Sequence, residues 1–146
     1  MKALVINGPN LNMLGVREPD IYGRSTYDDL VALCKRAGSD EGFELVDVYQ
    51  SNHEGDLIDA IQRALGAYDG IVINPAAYTH TSVGILDAVK AVGLPCVEVH
   101  ISAVEEREDF RQVSYVRAAC IATITGEGLE GYAHALRLIK EHLQNR

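Results

Sequence analysis

Cysteine is scarce here and badly placed for cross-linking. Cys34, Cys96 and Cys120 are odd in number and widely spaced, with no Cys-x-x-Cys. They read as small apolar fillers in a reduced compartment, not as a disulfide frame or a zinc site. Metal-ligand spacing is missing as well: there is no His-x-His, no His-Glu-x-x-His and no acidic cluster at ligand spacing. Positive charge is in the minority, 13 Lys and Arg against 21 Asp and Glu for a net charge of −8, and the basic residues form no stripe. An acidic surface repels phosphate backbones and anionic lipid, so no nucleic acid and no membrane is expected as a partner. It still leaves room for a local basic pocket that takes an anionic metabolite. No apolar run approaches the roughly 20 residues that a membrane helix needs. The first one, Ala3 to Ile6, is too short for a signal peptide, and a cytoplasmic protein is expected.

What the chain does have is a regular rhythm. Its 146 residues, nearly half of them hydrophobic, suffice for one domain over residues 1–146 with a self-sustaining core. Five short apolar runs stand out: Ala3–Asn7, Phe43–Gln50, Gly70–Asn74, Cys96–Ile101 and Cys120–Thr125. Most are β-branched and nearly continuous instead of alternating, as parallel strands covered on both faces should be. Between them, Leu57, Ile58, Ile61 and Leu65, then Ile85, Ala88, Val89 and Val92, recur at helical spacing. Tyr132, Leu136, Ile139 and Leu143 do the same in the last segment. Gly42, Gly66 and Gly93 stand where helix C-terminal caps are wanted. Strands alternating with helices imply right-handed crossovers. The expected fold is α/β, a flavodoxin-like three-layer sandwich around a five-stranded parallel sheet.

In such folds ligands sit beyond the carboxyl ends of the strands. Four strand ends here deliver Asn, His, Ser, Tyr and Arg, a polar pocket for a small oxygen-rich molecule. The first is followed by a long loop, Gly8 to Gly23, which carries Arg17, Glu18 and Tyr22 between Gly15 and Gly23. Long loops tend to be functional lids, and the glycines suit hinges. The bland alternative is a solvated surface loop. The Arg17–Tyr22 pair favours function, because a guanidinium held near a phenol favours the phenolate and makes it a base. Glu98 and His100 are two apart on a strand and therefore share a face. A buried glutamate is costly unless paired, and a carboxylate fixes an imidazole's tautomer and favours its protonated form. From spacing alone a structural ion pair and an acid catalyst are equally good readings, and the position at the strand end favours catalysis. His80 in Tyr78-Thr-His-Thr81 could equally be satisfied by backbone groups. Gly126-Glu-Gly-Leu-Glu-Gly131 matches a dinucleotide-binding pattern, G-x-G-x-x-G. Yet it follows the last strand and carries two glutamates that would repel a pyrophosphate, so it reads as a tight structural turn. No lysine stands at a strand end, which excludes Schiff-base dehydration. A non-catalytic flavodoxin-like binding module is the competing reading; it needs a phosphate-cradling loop after the first strand, which Gly8-Pro9-Asn10 does not resemble.

Taken in order, these stretches resemble the type II dehydroquinases across nearly the whole chain. The matches are Asn7-Gly-Pro-Asn-Leu-Asn-Met-Leu-Gly15, Arg17-Glu-Pro-Asp-Ile-Tyr-Gly23, Gln50-Ser-Asn-His-Glu-Gly55, Asn74-Pro-Ala-Ala-Tyr-Thr-His-Thr-Ser82, Glu98-Val-His-Ile-Ser102 and Arg107-Glu-Asp-Phe-Arg111. The resemblance implies anti elimination of water from 3-dehydroquinate through an enolate, giving 3-dehydroshikimate, with no cofactor. It implies Tyr22 as the base, Arg17 as its activator, and Asn10 as the holder of a water that supports the enolate oxygen. His100, oriented by Glu98, would protonate the departing hydroxyl. Asn74, His80, Arg111, Ile101 and Ser102 would bind the substrate, and Asp87 would reach a neighbouring subunit's site within trimers that build a dodecamer. Three positions depart from the usual pattern: Leu86, where Arg is frequent, Ala103, where Asn is common, and Glu105, where His or Tyr is more usual.

Overall fold

The computed structural model describes residues 1–16 and 18–146, with Tyr22 described by its backbone alone. Five strands, β1 (Lys2–Asn7), β2 (Leu45–Gln50), β3 (Gly70–Asn74), β4 (Cys96–His100) and β5 (Ala122–Thr125), form one sheet in the order β2-β1-β3-β4-β5. Every pairing is parallel. This is the flavodoxin-like order, with the reversal of direction beside β1 and β3.

Side chains alternate across each strand, so each face of the sheet takes its own core. Val5, Val72, Val97 and Val99 pack with Leu30, Leu33, Tyr132, Leu136 and Ile139. These last five come from helices α2 (Tyr27–Asp40) and α5 (Glu130–Gln144). Leu4, Ile6, Ile71, Ile73 and Cys96 face the other way, against Leu57, Ile61, Ile85 and Val89 of α3 (Glu54–Ala64) and α4 (Val83–Val92). Fully burying one such side chain stabilises by roughly 1.5–3 kcal/mol, which is why the helical spacings read from the sequence recur as buried positions. Helix starts are marked by side chains that satisfy orphan amides. Thr26 and Asp29 exchange bonds in a capping box at α2, and the Ser82 hydroxyl accepts from the Ile85 amide at α4.

Three expectations shift. Phe43 and Glu44 lie before β2, because the Phe43 amide donates to the Gly38 carbonyl and closes the end of α2 instead of joining the ladder. Cys120 and Ile121 precede β5, since the Cys120 amide is spent on Arg117. The connection from β4 to β5 contains no α-helix; it is built from 3-10 turns at Val104–Glu106, Asp109–Gln112 and Val116–Ala119. Short 3-10 turns follow local geometry, not a 3.6-residue repeat, so periodicity could not announce them. The long loop after β1 also carries structure, a 3-10 turn at Leu11–Met13 and one helical turn, α1 (Pro19–Tyr22), started by a proline at its first position. Among the described residues no helix is long and apolar enough to cross a membrane.

Candidate active site

The carboxyl ends of β1, β3 and β4 surround a cavity of about 110 Å³. Its floor is made by a close approach. Asn7 and Asn74 are register partners at the ends of β1 and β3, and the Gly8 amide donates to the Asn74 carbonyl at 2.8 Å. A Cβ on Gly8 would stand 2.5 Å from the Pro75 carbonyl oxygen, a contact no side chain tolerates, so only glycine lets the two loops meet. The same amide is thereby unavailable to a phosphate. That counts against the flavodoxin-like binding module.

Asn10, Asn74, His80, His100, Ile101, Ser102 and Arg111 all line this cavity. Glu98 sits behind His100 and supports it. Asp87 lies exposed on α4 and is not part of the lining. Arg17 lies outside the described residues, as does the side chain of Tyr22. Arg107, which the sequence places after the fourth strand with Arg111 but without a role of its own, lines the cavity and donates to the Ser102 hydroxyl at 3.4 Å. Sequence reasoning left out Val104, which is buried at the wall.

Glu98 and His100 are the chemical centre. Glu98 is fully buried and His100 is only 4% exposed, with His100 Nε2 at 2.6 Å from Glu98 Oε2. The hydroxyls of Thr79 and Ser114 each reach the same oxygen at 2.7 Å. Thr123 donates to Glu98 Oε1 at 3.2 Å, and Arg117 Nε approaches it at 3.5 Å. Burial alone would push this carboxyl's pKa up. The hydrogen bond and charge of His100, with the two hydroxyls, outweigh burial and hold it at about 2. Glu98 is therefore a carboxylate at any ordinary pH. With Nε2 committed to it, Nδ1 is the nitrogen through which His100 can pass a proton to a ligand.

His80 has a different environment. Its Nδ1 lies 2.6 Å from the Val113 carbonyl oxygen, and since a carbonyl can only accept, Nδ1 carries the hydrogen. Burial lowers its pKa more than the Val113 bond raises it, and the nearby His100 and Arg111 charges lower it further. A neutral His80 leaves Nε2 as an acceptor for a hydroxyl. Arg111 is fixed by a 2.5 Å bond to Glu108 and by stacking of its guanidinium over Phe110. Two arginines, Arg107 and Arg111, thus line the cavity of a protein of net charge −8, and guanidinium N–H groups are donors suited to a carboxylate.

Asn10 owes its position to a left-handed backbone, φ 70° and ψ −3°. The Asn52 carboxamide oxygen accepts from the Asn10 amide at 3.0 Å, and the Gln50 amide group reaches both that oxygen and the Gly8 carbonyl. Asparagine is among the few residues that enter this region at small cost. Asn74 is held just as firmly. Its Nδ2 donates to the Tyr132 hydroxyl at 2.9 Å, its Oδ1 accepts from the Ala76 amide at 3.0 Å, and Tyr132 in turn donates to Asn7 at 2.6 Å. Tyr132 belongs to the helical spacing of α5; nothing in that spacing marks its hydroxyl as a strut of the cavity. Among the described residues no group of three or more His, Cys, Asp or Glu is arranged to hold a metal ion.

Comparison with known proteins agrees with this geometry over the full length. The family model for dehydroquinase class II matches residues 1–140. The chain is 54% identical over 144 residues to 3-dehydroquinate dehydratase 1 of Corynebacterium efficiens, covering 98% of this chain and 95% of the relative. It is 51% identical over 144 residues to the 3-dehydroquinate dehydratase of Geotalea daltonii, covering 99% of each. Among solved structures, the type II dehydroquinase of Butyrivibrio crossotus superposes with a TM-score of 0.92 at 50% identity, over 95% of this chain and 97% of that one.

Proposed function

The chain belongs to the class II dehydroquinase family, and on that premise we propose that it is a hydro-lyase that removes water from 3-dehydroquinate, giving 3-dehydroshikimate through an enolate. The observation that carries this reading is the Glu98–His100 pair, buried, 2.6 Å apart, and opening through His100 onto a cavity with two arginines.

The reaction asks for three things: a base beside the ketone, support for the enolate oxygen, and an acid for a poor hydroxide leaving group. Tyr22 takes the proton, with Arg17 favouring its phenolate. Asn10, held in its left-handed turn, orders a water against the enolate oxygen. His100 passes the proton on its Nδ1 to the departing hydroxyl while Glu98 steadies the imidazolium. Arg111 binds the carboxylate. Asn74, the neutral His80, Ser102 and the Ile101 and Ser102 backbone bind the hydroxyls and fix the ring. The scheme uses no cofactor. Residues 1–146 act as one domain, trimers assemble into a dodecamer in which Asp87 completes a neighbour's site, and the protein works in the cytoplasm.

The test is direct. Purified protein mixed with 3-dehydroquinate should develop the ultraviolet absorbance of the conjugated enone, with or without a chelator and after borohydride treatment. Tyr22→Phe and His100→Ala should each abolish most of the rise. A folded wild-type protein that produces no enone would overturn the proposal.

A further inference from the structure

The glycine turn after β5 is the motif that the proposed reaction leaves unused, and two of its amides are engaged on one target. The Gly126 N–H donates to the His100 carbonyl at 3.3 Å and to the Ser102 carbonyl at 3.1 Å, and the Gly128 N–H donates to the Ile101 carbonyl at 3.1 Å. Three consecutive carbonyls of the cavity wall are thus held by two amides of one turn. Those amides are spent, so the turn cannot cradle a pyrophosphate despite its G-x-G-x-x-G spelling.

The geometry carries a consequence for the other side of the wall. A trans peptide unit points its C=O and the following N–H in opposite directions, and no cis peptide occurs among the described residues. Holding the His100 and Ile101 carbonyls toward the turn directs the Ile101 and Ser102 N–H groups away from it. Both residues line the cavity. We infer that the Gly126–Gly128 turn is a positioning element for substrate, aiming the Ile101 and Ser102 amides at its carboxylate or hydroxyl oxygens. The inference rests on the dehydratase reading and adds to it two residues that do not themselves line the cavity.

Both glycines are needed where they stand. Their φ angles are +74° and +62°, which residues with a Cβ adopt at a cost. A Cβ on Gly126 would also meet the Ala103 Cβ at 3.2 Å, whereas one on Gly128 would meet nothing within 4 Å.

Steady-state kinetics on 3-dehydroquinate test this, with circular dichroism on each protein. Gly126→Ala should raise KM by more than ten-fold, the scale of one disfavoured backbone conformation with the Ala103 contact added to it, and should affect kcat less, because the His100 imidazole keeps its bond to Glu98. Adding Ala103→Gly in the same chain removes the 3.2 Å contact but not the strained φ, so it should recover the part of the loss that the contact causes and bring KM down towards the Gly128→Ala value. Gly128→Ala, which adds strain without a clash, should raise KM by a smaller factor. A wild-type KM in a folded Gly126→Ala protein overturns the inference, as does a fall confined to kcat or a KM defect that Ala103→Gly leaves unrelieved. If Gly126→Ala does not fold, Gly128→Ala decides, and an unchanged KM there overturns it. If the wild type itself makes no enone, the dehydratase reading falls and takes this one with it. An active wild type with insensitive glycine variants sinks the positioning role alone.

Discussion

His100 Nε2 stands 2.6 Å from Glu98 Oε2, across a single two-residue step of β4, and the carboxylate is fully buried while the imidazole opens onto the cavity. One strand thus holds both the acid and the group that orients it. Strand geometry keeps residues i and i+2 on one face, so the pair needs no loop to bring it together.

Removing either member should be costly in different ways. His100→Ala deletes the proton donor, and kcat should fall by about 10²–10⁴-fold, the range of a lost general acid. Glu98→Gln keeps shape but loses the charge that steadies an imidazolium, and should also cut kcat. Stopped or steady-state enone assays on folded variants check both. Wild-type kcat in either would remove the pair from the mechanism.

Glu98 also predicts how stability depends on acid. Its folded pKa is about 2, below the ordinary 4.5. A carboxyl with a depressed folded pKa stabilises the fold fully above its unfolded value, and that contribution is lost as pH falls toward the folded one. Part of the loss in Tm between about pH 4.5 and 2 is therefore assigned to this residue. Thermal melts across that window should show a shallower slope for Glu98→Gln than for wild type. Parallel curves would mean that other carboxylates account for the whole acid limb.

Thr79 and Ser114 help to hold Glu98 charged, each at 2.7 Å from the same oxygen. Thr79→Val keeps the volume and deletes one donor. The Glu98 pKa should rise toward its ordinary range and the acid-unfolding midpoint should move to higher pH. Because the substrate contacts stay in place, KM should hold within about two-fold while kcat falls. A change in KM with kcat constant would assign Thr79 to substrate binding instead.

The Tyr132 hydroxyl donates to Asn7 and accepts from Asn74, joining the ends of β1 and β3 to α5. Tyr132→Phe leaves two buried carboxamides short of a partner, at a cost of roughly 1–3 kcal/mol. Urea unfolding should show a lower midpoint with an unchanged slope. KM should also rise, since Asn74 lines the cavity. An unaltered midpoint would mean that water replaces the hydroxyl without loss.

Ala103→Asn places at the position facing the glycine turn the side chain that the resemblance to the type II dehydroquinases leads one to expect there. It should lower KM or leave it unchanged, and a large rise in the enone assay would show that the wall here is packed around alanine.

Much of the molecule was written in local patterns. Nearly continuous β-branched runs declare parallel strands buried on both faces, and helical spacing declares which side of each helix meets them. Strands alternating with helices imply right-handed crossovers and a parallel sheet covered on both faces. The two-residue spacing of Glu98 and His100 puts them on one face whatever surrounds them. Tertiary structure decided the rest, because those contacts join residues that no period links. Thr79, Ser114 and Thr123 reach Glu98 from three separate segments. Asn52 holds the left-handed Asn10 across 42 positions, and Tyr132 reaches Asn7 across 125. Chain patterns record which face a residue turns to the core. Only the folded chain brings hydroxyls and amides within the 3 Å or so over which hydrogen bonds act, and that distance decides which buried polar groups become a site.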